Sequence, residues 1–321
     1  MRAVICGTGS AVPDKVLDNE ELSQMVDTND GWIRERTGIA RRHIAKKDTC
    51  VSLAVKAAKS ALEQAAIPAE DIDLLIVSTI SSNVVLPCTA CEVQKEIGAV
   101  HAAAYDLNAA CTGFVLAYQS AQSFLQAGFY RTVLIIGSEC LSNLVNWQDR
   151  GTCILFGDGA GAAVLRAESG NGYLPAAHSD GKKGVALKCK SLFDGDMENQ
   201  RFRQEEYKMQ MDGQEVFKFA VRQVPAVIME VLEKNTLALD DIDWMILHQA
   251  NSRIVEAVSR HLKVPLAKFP MNMQEYGNTS SASIPILLDE MNRDGRLKKG
   301  QKIILAGFGA GLTWGASILE W

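Results

Sequence analysis

Two kinds of hydrophobic pattern alternate along this chain. Apolar residues recur at helical spacing over 51–64 and 213–234, which predicts two amphipathic helices. Short, almost wholly apolar runs at 73–78 and 244–247 predict two buried strands. Because helices that alternate with fully buried strands are typical of sheets covered on both faces, the pattern indicates the α/β class.

The same pattern occurs twice, at an offset of 170 residues. The run Asp-Ile-Asp-Leu-Leu-Ile-Val-Ser at 71–78 returns as Asp-Ile-Asp-Trp-Met-Ile-Leu-His at 241–248, and Asn108 has Asn278 as its counterpart. This repeat indicates an ancestral duplication. It predicts two pseudo-symmetric halves, residues 1–170 and residues 171–321.

Length and composition exclude several classes of protein. The chain has 321 residues, 47% hydrophobic and 22% charged, which is typical of a folded globular protein. A net charge of −5 argues against a nucleic-acid partner. No apolar run approaches the roughly 18 residues that cross a bilayer, and no signal peptide is recognisable, so we expect a cytoplasmic protein without membrane contact. The polar, aperiodic stretch 182–211 predicts an insertion or flap.

Four short motifs favour structural explanations. The Gly-Thr-Gly run at 7–9 lacks a third glycine, and Pro13 stands where a dinucleotide-binding helix would begin. The glycine-rich runs 157–161 and 307–311 lack the Lys-Ser/Thr of a phosphate loop and predict tight turns or close backbone approaches. The Cys-Thr-Ala-Cys run at 88–91 has no second half to complete a zinc site, so we expect buried thiols at a helix start and no metal.

Cys111 is a candidate nucleophile because it follows an apolar approach at 102–107 and opens a helix that runs to about residue 126. The free N–H groups at a helix start favour the thiolate that attacks carbonyl carbon, although small residues around a cysteine also mark close packing. His248 ends a buried strand, and Asn278 occupies the position equivalent to Asn108. Pseudo-symmetry would bring Cys111, His248 and Asn278 together.

Four motifs extend this constellation along the chain. They are Asn-Ala-Ala-Cys-Thr-Gly-Phe at 108–114, His-Gln-Ala-Asn at 248–251, Tyr-Gly-Asn-Thr-Ser at 276–280 and Gly-Phe-Gly-Ala-Gly-Leu-Thr-Trp-Gly at 307–315. Together they resemble β-ketoacyl-acyl carrier protein synthase III. The resemblance implies a thiolase-like fold of layered sheets and helices, and an enzyme that condenses a short acyl-CoA with malonyl-acyl carrier protein to initiate fatty-acid synthesis.

The resemblance also implies roles for particular residues. Cys111 would carry the acyl group, and His248 and Asn278 would stabilise the enolate formed when malonyl loses CO2. An imidazole and a carboxamide suit this task because their N–H groups can hold developing negative charge. The backbone N–H groups of Cys111 and Ala310 would stabilise the oxyanion during acylation.

By the same resemblance, the adenine of CoA would lie between Trp32 and Arg150, with Thr28, Arg36 and Asn251 as further polar contacts. An indole and a guanidinium on either side of a planar ring add stacking to cation–π attraction. Without the resemblance, an ordinary packed aromatic is the better explanation of Trp32.

Other implied features concern the acyl chain and the partners. Leu86 and Phe308 would line the acyl pocket, and the region of Leu86 would form the contact of a homodimer. No cofactor is implied besides the substrates acyl-CoA and malonyl-acyl carrier protein. Four basic residues would dock the acidic carrier, although a solvated basic face is the alternative. They are Lys218, Arg222, Arg253 and Arg260.

Two alternatives stay open at this level. A related condensing enzyme of specialised metabolism would share the triad but use another starter or extender. A non-catalytic binding protein of the same fold is disfavoured because all three triad residues are present. Thr112 and Ala310 replace the family's usual alanine and glycine, which leaves the choice of starter open.

Overall fold

A computed structural model describes residues 1–190 and 207–321 of the chain. Most of the predicted insertion at 182–211 therefore lies outside the described residues. Its described ends form a turn at Gly181–Ala186 and two short antiparallel strands.

The strands of the described chain are β1 (Arg2–Ala11), β2 (Val16–Asp18), β3 (Arg41–His43), β4 (Leu74–Ser78), β5 (Ala103–Leu107), β6 (Thr132–Cys140), β7 (Asp158–Glu168), β8 (Ala176–Ser179), β9 (Leu187–Lys188), β10 (Gln210–Met211), β11 (Trp244–Leu247), β12 (Lys302–Gly309) and β13 (Thr313–Glu320).

The helices begin close to the residues that the hydrophobic pattern predicts. The first long helix is fixed by a capping box, in which Thr49 and Ser52 each accept a hydrogen bond from the other's backbone N–H. The described helices are α1 (Asn19–Ser23), α2 (Asp30–Thr37), α3 (Cys50–Ala65), α4 (Thr89–Ile97), α5 (Gly113–Ala127), α6 (Arg150–Cys153), α7 (Gly213–Lys234), α8 (Ser252–Leu262), α9 (Met273–Tyr276) and α10 (Ser283–Arg293).

Two sheets form the framework. The first has the strand order β1-β7-β6-β4-β5, with β4 parallel to β5 and β6. The second has the order β11-β12-β13-β8, with β11 parallel to β12. All strands of the first sheet come before residue 170 and all strands of the second come after it. A domain boundary at that residue stays a prediction.

The helices pack as layers around the two sheets. α5 and α10 lie between them, where Phe114 and Leu287 share one core with Ile135 of the first sheet and Leu305 of the second. α3 and α4 cover the outer face of the first sheet, and α7 and α8 cover the outer face of the second. The α/β class with layered sheets and helices is confirmed.

Backbone conformation repeats at the same offset of 170 residues as the sequence. Ala66 and Thr236 are both left-handed, at φ 52° and 55°, and so are Ala110 and Ser280, at φ 46° and 49°. β4 and β11 also begin at equivalent residues, as do β6 and β12. Non-glycine residues rarely adopt this conformation, so two equivalent pairs confirm that the halves are pseudo-symmetric.

The structure decides two expectations about short motifs. For the 157–161 run it confirms a close backbone approach and not a tight turn, because β7 begins at Asp158 and a Cβ at Gly161 would lie 2.6 Å from the backbone nitrogen of Ile286. Cys88 caps α4 as expected for a helix start, but it is only half-buried and Cys91 is exposed. The expectation of buried thiols there is wrong, because at the start of α4 the residues that face the core are Thr89 and Ala90, and not the two cysteines.

Within 1–190 and 207–321, no helix is long and apolar enough to span a membrane. The same residues contain no group of three or more His, Cys, Asp or Glu side chains that could hold a metal ion.

Candidate active site

Cys111 lies in a turn, Ala110–Thr112, immediately before α5. The predicted helix thus begins two residues after the cysteine. The left-handed Ala110 turns the chain so that Cys111 packs against Gly309 at the end of β12. A Cβ at Gly309 would lie 2.9 Å from both Cβ and N of Cys111, so only glycine fits there. Strained residues of this kind cluster at functional sites.

Cys111 lies in a buried environment. The residue is only 7% exposed, and burial raises the pKa of the thiol to about 12. Desolvation thus opposes the thiolate, whereas the free N–H groups near the start of α5 favour it. A thiolate at Cys111 stays a prediction.

His248 follows β11 and is almost fully buried. Its Nδ1 lies 2.8 Å from Oγ of Ser283, and the same Oγ accepts a hydrogen bond from the backbone N–H of Gln249 at 3.2 Å. Within the described chain, Nδ1 is the only acceptor for the Ser283 hydroxyl proton. Ser283 therefore donates to Nδ1, which places the ring proton on Nε2.

The environment of His248 also keeps the ring neutral. Burial lowers the pKa of His248 to about 3. Phe308 stands edge-on to the imidazole, with ring centroids 5.2 Å apart, and limits its movement. His248 can therefore donate a hydrogen bond from Nε2 without carrying a charge.

Asn278 is held by its backbone and by its own side chain. Its N–H donates to the carbonyl of Leu155 at 2.8 Å, and its carbonyl accepts from the N–H of Gly157 at 3.0 Å. Its Oδ1 accepts a hydrogen bond from the backbone N–H of Ser280 at 2.9 Å. This contact leaves the Nδ2 hydrogens free to donate elsewhere.

One cavity of about 480 Å³ brings the three candidate residues together. Cys111, His248 and Asn278 all line it, and it extends to Trp32 on α2. It therefore joins the buried cysteine to the protein surface. Other predicted residues along its wall are Arg36, Lys218, Asn251, Arg253 and Phe308.

Of the five residues expected to bind CoA, Trp32, Arg36 and Asn251 line this cavity, whereas Thr28 and Arg150 do not. The guanidinium carbons of Arg150 and Arg36 lie 5.0 Å and 5.8 Å from the centre of the Trp32 ring. Oγ1 of Thr28 is buried and has no hydrogen-bond partner among the described residues. Asn251 caps α8 through its Oδ1, so its Nδ2 is available to a ligand.

The four basic residues expected to dock the carrier separate into two pairs. Lys218 and Arg253 line the cavity, whereas Arg222 and Arg260 are exposed and do not line it. Arg260 also has a carboxylate of Glu256 3.7 Å away. Arg253 and Lys218 are therefore the residues best placed at the entrance.

A second, smaller cavity of about 40 Å³ lies beside Cys111. The structure places neither Leu86 nor Phe308 on it. Leu86 is 86% exposed and faces away from the rest of this chain, while Phe308 packs against His248. Within one chain, the apolar residues of this cavity are Ile80, Ala110, Leu141, Phe156, Leu187, Met209 and Ala310.

The sequence reasoning missed Glu139, a fully buried carboxylate near the end of β6. It accepts hydrogen bonds from Oγ of Ser81 at 2.6 Å, from N–H of Ile80 at 3.1 Å and from Oγ of Ser281 at 2.9 Å. A single acid within the run 132–140 was the available signal, because buried carboxylates are rare and need partners.

Comparison with known proteins agrees with this arrangement. Two family models match the chain: 3-oxoacyl-[acyl-carrier-protein] synthase III over residues 105–181, and the C-terminal part of the same family over residues 232–321. A beta-ketoacyl-[acyl-carrier-protein] synthase III of Clostridium novyi is 49% identical over 318 residues, which cover 98% of this chain and 97% of that protein. This chain belongs to the synthase III family.

Solved structures of the synthase III family have the same fold. The 3-oxoacyl-[acyl-carrier-protein] synthase III of Aquifex aeolicus has a TM-score of 0.93 at 40% identity, covering 99% of this chain and all of that one. The priming β-ketosynthase of the R1128 polyketide pathway has a TM-score of 0.94 at 34% identity, covering 99% of this chain and 96% of that one. The thiolase-like fold expected for a synthase III is thus confirmed.

Proposed function

We propose that this synthase III condenses a short acyl-CoA with malonyl-acyl carrier protein, giving β-ketoacyl-acyl carrier protein, CoA and CO2. The observation that carries the proposal is the convergence of one thiol and two neutral N–H donors on a single cavity. The thiol of Cys111 can hold an acyl group. The Nε2–H of His248 and the Nδ2–H of Asn278 can hold negative charge on one oxygen.

In the first half-reaction, Cys111 attacks the thioester carbonyl of acyl-CoA. The backbone N–H groups of Cys111 and Ala310 stabilise the oxyanion, a role supported by the contact of Cys111 with Gly309, the residue before Ala310. The bond to the CoA sulfur then breaks. CoA leaves as a thiol, and the acyl group remains on Cys111.

In the second half-reaction, the thioester oxygen of malonyl-acyl carrier protein lies between His248 and Asn278. Loss of CO2 leaves an enolate whose charge these donors stabilise. A neutral imidazole suits this step because an imidazolium would protonate the carbanion. The enolate carbon attacks the acyl carbonyl, the bond to the sulfur of Cys111 breaks, and the returning thiolate takes up a proton.

The two substrates enter through the same cavity but need different residues to bind them. CoA contacts are assigned to Trp32, Arg150 and their polar neighbours. Trp32 lies at the outer end of the cavity, and its indole ring is in contact with guanidinium groups. Docking of the acidic carrier is assigned chiefly to Arg253, whose guanidinium lies over the ring of Phe217 at 5.6 Å and is exposed.

The acyl chain is assigned to the small cavity beside Cys111. Its wall is formed by apolar residues such as Leu141 and Met209, which suits a short hydrocarbon chain better than a polar group. Leu86 would join this wall only across a subunit contact.

A homodimer is part of the proposal. β5 is the edge strand of the first sheet, and Tyr105 on it is 37% exposed. In the loop between β4 and α4, Val85 and Leu86 are 76% and 86% exposed. An edge strand and exposed apolar side chains are both typical of a surface that binds a second copy of the chain. A cytoplasmic location accompanies the proposal.

A second candidate function is the priming of a specialised pathway. The likeness to the R1128 priming β-ketosynthase supports it, since that enzyme has the same fold at a similar TM-score. Both candidates require acylation of Cys111 and differ in the starter.

One experiment tests both candidates. The protein is incubated with a panel of acyl-CoAs, and its intact mass is measured before and after addition of malonyl-acyl carrier protein. We expect a mass increase equal to the acyl group on Cys111, which disappears as β-ketoacyl-acyl carrier protein forms. An unchanged mass with every acyl-CoA would contradict the proposal, and acylation only by unusual starters would favour the second candidate.

A further inference from the structure

The backbone of Asn278 is held in place by one short segment, residues 155–157. The two form an isolated parallel bridge between Phe156 and Asn278, through the hydrogen bonds to Leu155 and from Gly157. No longer strand supports the bridge, because α6 ends before it and β7 begins after it. Since two hydrogen bonds contribute little net stability, the place of the Asn278 amide in the cavity depends on what packs behind the bridge.

Arg42, on β3, packs directly behind this bridge. Its Nη2 donates a hydrogen bond to the carbonyl of Ile154 at 2.7 Å. A Cβ at Gly157 would lie 3.0 Å from Cβ of Arg42, and a Cβ at Gly277 would lie 3.1 Å from the same atom. The two glycines belong to opposite sides of the bridge. The side chain of Arg42 therefore begins in the space that both glycines leave open, and its guanidinium ends on the segment that holds Asn278.

The other side of the Arg42 guanidinium is fixed as well. Nη1 donates to the carbonyl of Leu17 at 3.2 Å and to Oδ1 of Asn19 at 2.8 Å. Asn19 is itself buried, and its amide donates to the carbonyl of Ile39 and to the carboxylate of Asp30, both at 2.9 Å. Because a guanidinium presents its donors in one rigid plane, it fixes the bridge relative to β2 and α1.

The residues on either side of Arg42 contact the residues that precede Asn278. The N–H of Ala40 donates to the carbonyl of Gln274 at 3.0 Å. The ring of His43 stacks on that of Tyr276, with centroids 5.7 Å apart. β3 and the residue before it thus lie along the stretch 274–277, and this contact brings Arg42 to the bridge.

Arg42 is an unusual residue for a position that only fills space. Its side chain is fully buried, and it forms no ion pair with a carboxylate in the part of the chain that the structure describes. An unpaired buried charge is costly, and an apolar side chain of similar volume often gives equal or greater stability. What the guanidinium adds is a set of charge-assisted hydrogen bonds, which are stronger than neutral ones, to acceptors from separate segments.

We propose that Arg42 is the positioning residue for Asn278. It fixes the carbonyl of Ile154 and the bridge beside it, and thereby holds the Asn278 amide where the thioester oxygen of malonyl-acyl carrier protein binds. The inference rests on the proposed role of Asn278 in decarboxylation. Arg42 lines neither of the two cavities that contain Cys111, so it acts on the reaction only through Asn278.

The test introduces Arg42→Met into the wild type and into Asn278→Ala, and measures acylation of Cys111 and decarboxylation of malonyl-acyl carrier protein separately. Met keeps an unbranched stem and removes the donors. In the wild type, kcat for decarboxylation should fall roughly 10- to 10²-fold, because a displacement of about 1 Å can have an effect of that size. The KM for the carrier and the rate of acylation should stay nearly unchanged. In Asn278→Ala, Arg42→Met should cause no further loss, because the donor that it positions is absent.

Two further variants guard against a folding defect. Arg42→Lys keeps the charge, but an ammonium lacks the planar fork that holds separate acceptors. It should lose less activity than Arg42→Met, again only when Asn278 is present, and it keeps the test decisive if Arg42→Met does not fold. Arg41→Met is the matched control on the same strand. It removes an exposed ion pair with Glu275 at 3.3 Å and should leave both half-reactions unchanged.

Three results would overturn the inference. They are wild-type decarboxylation in both Arg42 variants, an equal loss in the presence and absence of Asn278, and a loss of acylation as large as the loss of decarboxylation. Failure of the proposed function has a separate signature, because Asn278→Ala alone would then keep the wild-type rate of decarboxylation. If Asn278→Ala loses that rate and the Arg42 variants do not, only the role of Arg42 is wrong.

Discussion

The guanidinium carbon of Arg150 lies 5.0 Å from the centre of the Trp32 ring. An adenine between them needs roughly 7 Å, twice the contact distance of about 3.5 Å. Arg150 is held by a hydrogen bond from its Nη1 to the carbonyl of Asp27 at 2.8 Å. In the proposed binding mode, the adenine of CoA would have to separate two groups that already attract each other, and both groups lie on helices, Trp32 on α2 and Arg150 at the start of α6.

Trp32→Ala should weaken the use of acyl-CoA much more than it destabilises the protein. It removes one face of the adenine site, and base stacking on an aromatic ring contributes about 1 to 3 kcal/mol. The measurement is the acyl-CoA concentration that gives half-maximal acylation of Cys111. Phe129→Ala is the control, because Phe129 is also an exposed aromatic but lies on neither cavity. If both variants need the same acyl-CoA concentration for half-maximal acylation, Trp32 is not part of the CoA site.

Ser283→Ala should slow decarboxylation of malonyl-acyl carrier protein while acylation of Cys111 continues. Without the Ser283 donor, the proton of His248 is no longer fixed on Nε2. The loss should be smaller than the roughly 10² to 10³-fold loss that follows removal of an oxyanion donor. The two half-reactions are measured separately, with Ser259→Ala as a buried serine control on α8. If Ser283→Ala leaves decarboxylation unchanged, the tautomer is set by another contact.

Substitutions in the triad should separate the half-reactions. Cys111→Ala should abolish the acyl-enzyme mass but retain some decarboxylation, because both enolate donors remain. His248→Ala and Asn278→Ala should still acylate Cys111 and lose decarboxylation by roughly 10² to 10³-fold. The double variant should lose far less than the product of the two, because both donors act on one oxygen. If His248→Ala instead loses acylation and retains decarboxylation, His248 acts in the acylation of Cys111 and not in decarboxylation.

Arg253→Glu should raise the KM for malonyl-acyl carrier protein and leave acylation by acyl-CoA nearly intact. Reversal of charge at the cavity entrance disrupts docking of an acidic carrier. Arg260→Glu is the matched control on the same helix. It should have a smaller effect because Arg260 does not line the cavity and already lies near Glu256. Equal effects of both substitutions would indicate a general surface charge instead of a docking residue.

The stability of the protein should fall as the pH is lowered through the range in which free histidine titrates. Burial lowers the pKa of His248 from 6.5 to about 3, so between these values the unfolded chain binds a proton that the folded chain does not. Protons bound only by the unfolded state favour unfolding. Thermal unfolding of the wild type and of His248→Gln from pH 4 to 8 measures this, and the slope should be shallower in the variant.

Much of the architecture could be predicted because the hydrophobic pattern repeats. The strands that begin at Leu74 and Trp244 are wholly or almost wholly buried, and buried runs leave a clear signal. The same offset brought Asn108 and Asn278 into correspondence and pointed to the loops around Cys111. Helix starts were predicted to within a few residues. The error at α5 arises because the turn before it has no periodic signal of its own.

Features that depend on three-dimensional surroundings could not be predicted. The half-buried and exposed thiols of Cys88 and Cys91 look like core residues in the sequence, because exposure of a helix end depends on what packs over it. Whether Leu86 is exposed depends on what packs around it in three dimensions, which no local pattern predicts. Glu139 carries no motif, and its burial depends on hydrogen-bond donors that come from Ile80 and from the other half of the molecule.

The equal offset between the two halves gives Ser281 as the counterpart of Cys111, and Gly309 as the counterpart of Glu139. At one of these sites, Gly309 leaves room for the nucleophile Cys111. At the other, the carboxylate of Glu139 fills the equivalent space and accepts a hydrogen bond from Ser281. The duplicated unit has thus diverged into a reacting copy and a supporting copy. Ser281→Cys would not create a second reaction centre, because an acyl group on the new thiol would need the volume that Glu139 occupies.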